Sequence, residues 1–314
     1  MTVLITGANG FVGQGLCSRL SDQDLSVRAV KRSCAGASEA IESVAVGDID
    51  GNTDWSDALT GCDSVVHLAA RTHIMNDTTL DPLSEFRKVN VDGTLNLARQ
   101  AAMAGVKRFI FISSIKVNGE GTQLGQAFTA DDVAAPEDAY GTSKAEAEAG
   151  LRQLSQETGI EVVIIRPPLV YGPGAKGNFA SLLAWVSRGL PLPLGAITQN
   201  RRSLVGLDNL VDLILTCVVH PKAANQTFLV SDGEDLSTTE LLQRMAQAMN
   251  RPALFLPLPT GLLAFAARLL GRKAVAQRLL GSLQVDIGKT CELLDWKPSV
   301  SVGEGLRRAA RKQI

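Results

Sequence analysis

Short apolar runs alternate with longer amphipathic stretches through the first half of the chain. Val3–Thr6, Ser26–Val30, Ser43–Val46, Ser64–Leu68, Arg108–Ile112 and Val162–Ile165 have the length and side-chain character of strands. Between them, "GFVGQGLCSRLSD", "VDGTLNLARQAAMAG" and "AYGTSKAEAEAGLRQLSQETG" read as helices. The last two stop at glycine, a common helix end. Regular strand–helix alternation predicts an α/β chain, a doubly wound parallel sheet covered by helices on both faces. Right-handed crossovers then gather the loops that follow the strands along one edge, where ligands bind.

Beyond Arg166 the pattern changes. "RPPLVYGPGAKGNF" and "RGLPLPLG" are rich in Pro and Gly, and short helical stretches such as "STTELLQRMAQAMN" and "SVGEGLRRAARKQ" follow. The expected organisation is a first domain over residues 1–166, with elements near 199–220 packing back on it. A smaller mixed α/β lobe over 167–314 completes the chain, and a ligand cleft is expected between the two. One apolar stretch, Ala253 to Arg272, is interrupted by Pro257, Pro259 and Arg268 and falls short of a spanning helix. A buried or cleft-covering helix is expected there, without stable membrane insertion.

Composition narrows the function classes. Hydrophobic residues make up 45% of the 314 positions and charged residues 20%, so there is ample surface to bury and no reason to expect disorder. A formal net charge of -1 gives no electrostatic ground for binding nucleic acid. Cys17, Cys34, Cys62, Cys217 and Cys291 are scattered without a CxxC pair, which suits reduced thiols in a cytoplasm. With only His67, His73 and His220 beside them, no metal site is expected. The chain starts almost directly with a strand, leaving no room for a secretory signal, and a cytoplasmic location is expected.

"TVLITGANGFVGQGL" sets Gly7, Gly10 and Gly13 between the first strand and the first helix. Glycine there allows a tight turn and lets backbone N–H groups approach a pyrophosphate at the positive helix end. In this context the loop predicts a dinucleotide site. The second strand ends in Lys31 and Arg32 where NAD would be met by a carboxylate on its ribose. Two cations suit a 2′-phosphate, so NADP(H) is the expected cofactor and NAD(H) the alternative. Asp48, in "GDID", either bonds the adenine amino group or begins a turn.

Tyr140 and Lys144 stand four residues apart in "AYGTSKAEAEAGL" and so share one helix face. A phenol with a pKa of about 10 is a poor base at neutral pH, and a nearby ammonium stabilises its phenolate. Tyr140 would then move the proton of a substrate hydroxyl while hydride moves to or from a nicotinamide.

With these residues in place, the chain resembles the extended short-chain dehydrogenases/reductases, the nucleotide-sugar epimerase/dehydratase/reductase branch. The resemblance runs through "TGANGFVG", "GDID", "VVHLAA", "VNVDGT", "FISSIKVNG", "YGTSK", "RPPLVYGP", "RRSLVGLDNLVD" and "LLDWKP". It implies a Rossmann-type sheet and a UDP-sugar substrate, and a homodimer built on helices 91–104 and 140–157. It assigns Ser114, Tyr140 and Lys144 to catalysis, the last two also touching the cofactor. It implies further cofactor contacts at Gly7, Gly10, Phe11, Val12, Gly13, Asp48, Ile49, Leu68, Ala69, Ala70, Asn90, Ser113 and Pro167. Asn178 and Arg201 match donor-binding positions, and Lys116 joins Ser114 as a candidate for substrate contact.

Asn118 replaces a usual tyrosine and Leu169 a substrate-contacting asparagine. Ile115 and Lys116 stand where 4,6-dehydratases carry an Asp-Glu pair. Removing water needs a base at one carbon and an acid at the other, and Ile115 supplies neither. Of the chemistries the resemblance implies, two readings remain, both moving a hydride at C4 of a nucleotide hexose. The leading expectation is NADPH-dependent reduction of a UDP-4-keto-6-deoxy-N-acetylhexosamine for surface-polysaccharide synthesis. A UDP-hexose or UDP-N-acetylhexosamine 4-epimerase with tightly held NAD is the alternative. A non-catalytic dinucleotide-binding regulator is the minor one.

Overall fold

A computed structural model describes residues 1–21, 25–32, 41–72, 81–189, 191–252, 254–271 and 273–311. The first half runs β1 (Thr2–Thr6), α1 (Phe11–Ser21), β2 (Ser26–Lys31), β3 (Glu42–Ala45), α2 (Ser56–Leu59), β4 (Ser64–His67) and α3 (Pro82–Arg87). A π-helical turn, Lys88–Gly93, leads into α4 (Thr94–Met103), then β5 (Arg108–Ile112), α5 (Ala139–Thr158) and β6 (Glu161–Arg166). The remainder is β7 (Leu169–Tyr171), α6 (Asn178–Ser187), β8 (Leu204–Gly206), α7 (Leu207–Val219), β9 (Thr227–Leu229) and α8 (Thr238–Ala248). Helices α9 (Thr260–Leu269), α10 (Lys273–Leu280), α11 (Gly288–Leu294) and α12 (Val302–Arg311) complete it.

Seven strands form one parallel sheet in the order β3-β2-β1-β4-β5-β6-β9, and β7 pairs with β8 in a separate parallel pair. This is the Rossmann-type sheet with further α/β elements that form a substrate lobe. The apolar runs are unbroken because both faces are covered. Val3, Ile5, Ile110, Ile112, Val163 and Ile165 point to one core with α1 and α7. Leu4, Phe109, Phe111, Val162 and Ile164 point to the other, with α4 and α5. Alternation of side chains along each strand divides them. A third core joins α6, α8 and α12 in the C-terminal lobe. Strand β9 and helix α7, both beyond residue 166, belong to the sheet layer.

The apolar stretch after Pro252 departs from its expected burial (Ala253 and Arg272 lie outside the described residues). Helix α9 has no buried residue, and Leu262, Phe265 and Leu269 face outward. Hydropathy marks what a segment can bury but not whether anything covers it. Among the described residues no helix is long and apolar enough to cross a membrane.

Candidate active site

The order of the sheet reverses direction between β1 and β4, and the loops after the strands there form the crevice such sheets offer to ligands. Gly7 has φ +68°, and a Cβ on it would lie 2.8 Å from the Ala69 nitrogen. A Cβ on Gly13 would lie 2.2 Å from the Gly7 carbonyl oxygen, so no side chain fits there. Gly10 N–H donates to that oxygen at 2.8 Å and closes the turn. Phe11 and Val12 then open α1 directly after Gly10. The residues present fit a dinucleotide pyrophosphate.

Behind this loop, His67 is fully buried between the Thr6 and Thr94 hydroxyls, with its Nδ1 and Nε2 at 2.7 and 3.0 Å. Burial, and then the charge of Lys144, push its pKa down to about 3, so the ring is neutral. Thr6 Oγ1 also accepts from Ala69 N–H at 3.2 Å, which fixes the Leu68–Ala70 turn over Gly7. "VVHLAA" pointed to that turn and not to the histidine beneath it.

Two strand-end loops and one helix assemble the proposed catalytic group. Asp138 caps α5, accepting from Gly141 N–H at 2.7 Å, and Gly159 ends it in the left-handed conformation. Tyr140 lies in the first turn, its ring edge-on to Phe86 at 6.0 Å. Burial, and then the carboxylate of Asp138, raise its pKa to about 12. One turn on, Lys144 is 1% exposed; its Nζ donates to the Ile112 carbonyl at 2.9 Å and sits 4.3 Å from the Phe111 ring centroid. Burial lowers its pKa to about 7, against a smaller opposing effect of Glu148. Ser114 follows β5; its hydroxyl accepts from Lys116 N–H at 3.2 Å. The adjacent Ile115 N–H donates to Pro167 O at 3.0 Å, tying this turn to the end of β6. Asn90 closes the group from the π-helical turn, bonding Ser143 Oγ at 3.0 Å and both backbone groups of Arg71.

Two predicted residues have other partners. The Ser113 hydroxyl donates to Glu148 Oε1 at 2.6 Å, within a buried cluster completed by Arg166 and Asn118. Lys116 forms ion pairs with Glu120, at 2.6 Å, and with Asp138. Glu148 and Arg166 were missed in the sequence, although Glu148 follows Lys144 at the same four-residue step. Arg201 lies in the C-terminal lobe: its hydrogen-bond partners Thr198, Asn200, Ser282 and Leu283, and Glu240, whose carboxylate is 3.5 Å from its guanidinium, all belong to it. Asn178 begins α6, and its side chain lies outside the described residues.

At the adenosine end, Arg32 and Asp48 are exposed and 3.4 Å apart. The carboxylate offsets the one guanidinium counted for a 2′-phosphate, and would itself repel that group. Lys31 closes β2, half-buried, and Ile49 packs against the α4–α5 core.

A family model described as the NAD dependent epimerase/dehydratase family matches residues 3–231. A Vibrio cholerae protein described as UDP-glucose 4-epimerase is 50% identical over 311 residues, 99% of this chain and 94% of that one. An Escherichia coli O157:H7 protein, described as an N-acetyl-alpha-D-glucosaminyl-diphospho-ditrans,octacis-undecaprenol 4-epimerase, is 31% identical over 83% of this chain and 77% of its own. Among solved structures, UDP-glucuronic acid 4-epimerase from Bacillus cereus aligns with TM-score 0.78 at 22% identity, covering 99% and 98% of the two chains. That structure holds NAD, as do others of the same fold at 20–22% identity. The NADP expectation is therefore corrected. The two cations were read without Asp48, which stands 3.4 Å from Arg32 and would repel a 2′-phosphate there.

Proposed function

We propose a UDP-hexose 4-epimerase, on a plain premise: the chain belongs to the NAD dependent epimerase/dehydratase family. It is an NAD(P)-dependent enzyme acting at C4 of a UDP-sugar, and the proposal concerns which chemistry it completes there. The full-length likeness to the Vibrio relative carries the epimerase reading. The reductase reading leaned on NADP, and that ground is gone.

NAD, held at the loop of residues 7–13, would supply the hydride acceptor and donor for C4. The chain's own residues do the rest. Gly7, Gly10 and Gly13 leave room for the pyrophosphate on α1. Tyr140 takes the C4 hydroxyl proton and gives it back to the 4-keto oxygen, and Ser114 holds that oxygen by a hydrogen bond. Lys144, one turn beyond Tyr140 and held by the Ile112 carbonyl, would stabilise the phenolate in its charged form. Arg201, in the other lobe, would pair with the diphosphate of the substrate. Ile115 is 4% exposed and supplies no acid or base, so the keto-sugar is not dehydrated.

Incubating the purified protein with UDP-glucose or UDP-N-acetylglucosamine, without added cofactor, should yield the C4 epimer by proton NMR. Stoichiometric oxidation of NADPH by a UDP-4-keto-6-deoxyhexose, with no interconversion of either epimer pair, would overturn the proposal in favour of a reductase.

A further inference from the structure

Helix α9 stands on the C-terminal lobe with apolar side chains outward. Leu262, Phe265 and Leu269 recur at three- and four-residue steps, share one helix face, and are 53%, 60% and 72% exposed. Leu270, directly after α9, and Val275, on the adjoining α10, are also exposed. On the inner side, half-buried Leu263 packs on the C-terminal core and α10 lies alongside. Large apolar side chains gathered in this way mark a docking surface.

The charge around the helix indicates the partner. Residues 241–285 contain no Asp or Glu, but six basic residues: Arg244, Arg251, Arg268, Arg272, Lys273 and Arg278. Arg251 and Arg268 are exposed, and neither has a carboxylate partner among the described residues. A second copy of the chain suits this face poorly, because a two-fold contact would set the unpaired Arg251 and Arg268 of one copy against those of the other. An anionic bilayer suits both features: acyl chains receive Leu262, Phe265 and Leu269, and headgroup phosphates receive Arg251 and Arg268.

We propose that α9 and its flanking turns dock the protein on an anionic phospholipid surface, lying in the interfacial plane. The position connects to the substrate lobe. Helix α10 runs into residues 281–285, where Ser282 Oγ accepts from Arg201 N–H at 3.0 Å and Leu283 N–H donates to the Arg201 carbonyl at 2.9 Å. Docking at α9 therefore sets the orientation of that lobe to the bilayer. Membrane docking does not depend on which C4 chemistry the enzyme performs.

The test is co-sedimentation of the whole protein with vesicles of equal parts phosphatidylcholine and phosphatidylglycerol, beside vesicles of phosphatidylcholine alone. Binding to the anionic vesicles should be at least about tenfold stronger, and should weaken severalfold when salt rises from about 0.1 to about 0.5 M. Phe265→Ser with Leu269→Ser should reduce it by roughly tenfold or more, and Arg268→Gln severalfold. Both variants should keep the far-ultraviolet circular dichroism and the sugar turnover of the parent. Absence of parent binding, or unchanged binding by the double variant, overturns the proposal. So does a dimer in sedimentation velocity that the double variant turns into a monomer, which would make α9 a contact between copies of the chain.

Discussion

Tyr140→Phe is expected to lower kcat for C4 interconversion by roughly 10²–10⁴-fold while leaving the bound cofactor and the fold in place. The substitution keeps the ring that meets Phe86 edge-on and removes only the hydroxyl. Without it, the C4 proton has no acceptor during oxidation and the 4-keto oxygen no donor during return. Burial and the Asp138 carboxylate put the phenol pKa at about 12, so near neutrality it holds its proton. The sign of the pH dependence follows. The basic form becomes commoner as pH rises, so the parent's oxidation of the sugar should speed up from neutral toward alkaline pH. The variant should lose that rise along with most of its rate. A variant turning over at the parent's rate would remove Tyr140 from the chemistry.

The largest effect on stability is expected from Arg166→Met. Arg166 and Glu148 are 3% and 1% exposed, with Nη2 to Oε2 at 2.6 Å and Nε to Oε1 at 2.9 Å. Removing the guanidinium leaves a buried carboxylate with Ser113 and the half-exposed Arg152 as its remaining partners. Breaking such a pair costs about 3–5 kcal/mol, whereas replacing both partners by apolar groups is often neutral. Urea unfolding should therefore show the loss in Arg166→Met and recovery of most of it in Glu148→Met with Arg166→Met. Glu148 lies one turn beyond Lys144 on α5, so the single variant should also lose activity as that helix face shifts. A loss under about 1 kcal/mol would mean that water or Arg152 already satisfies the carboxylate.

The sheet was legible because its strands are buried on both faces and read as unbroken apolar runs. β7, β8 and β9 were not, since each is only three residues long and lacks a pattern of its own. Gly7, Gly10 and Gly13 were found through their place between strand and helix, and Tyr140 and Lys144 through helical spacing. Glu148 escaped notice because "AEAEA" looks like a solvated helix face, and its partner Arg166 lies on another element. Asp48 misled in the same way: its proximity to Arg32 is made by two neighbouring strands, and a linear reading cannot see it. α9 was misjudged because an apolar composition says nothing of what lies over it.

The central claim is that one hydride leaves C4 and returns to it within a single turnover. Purified protein given UDP-glucose carrying deuterium at C4, with no added cofactor, tests it most directly. The expected product is UDP-galactose that keeps its deuterium at C4. Loss of the label to solvent, or no product until NADPH and a 4-keto-sugar are supplied, would contradict the account.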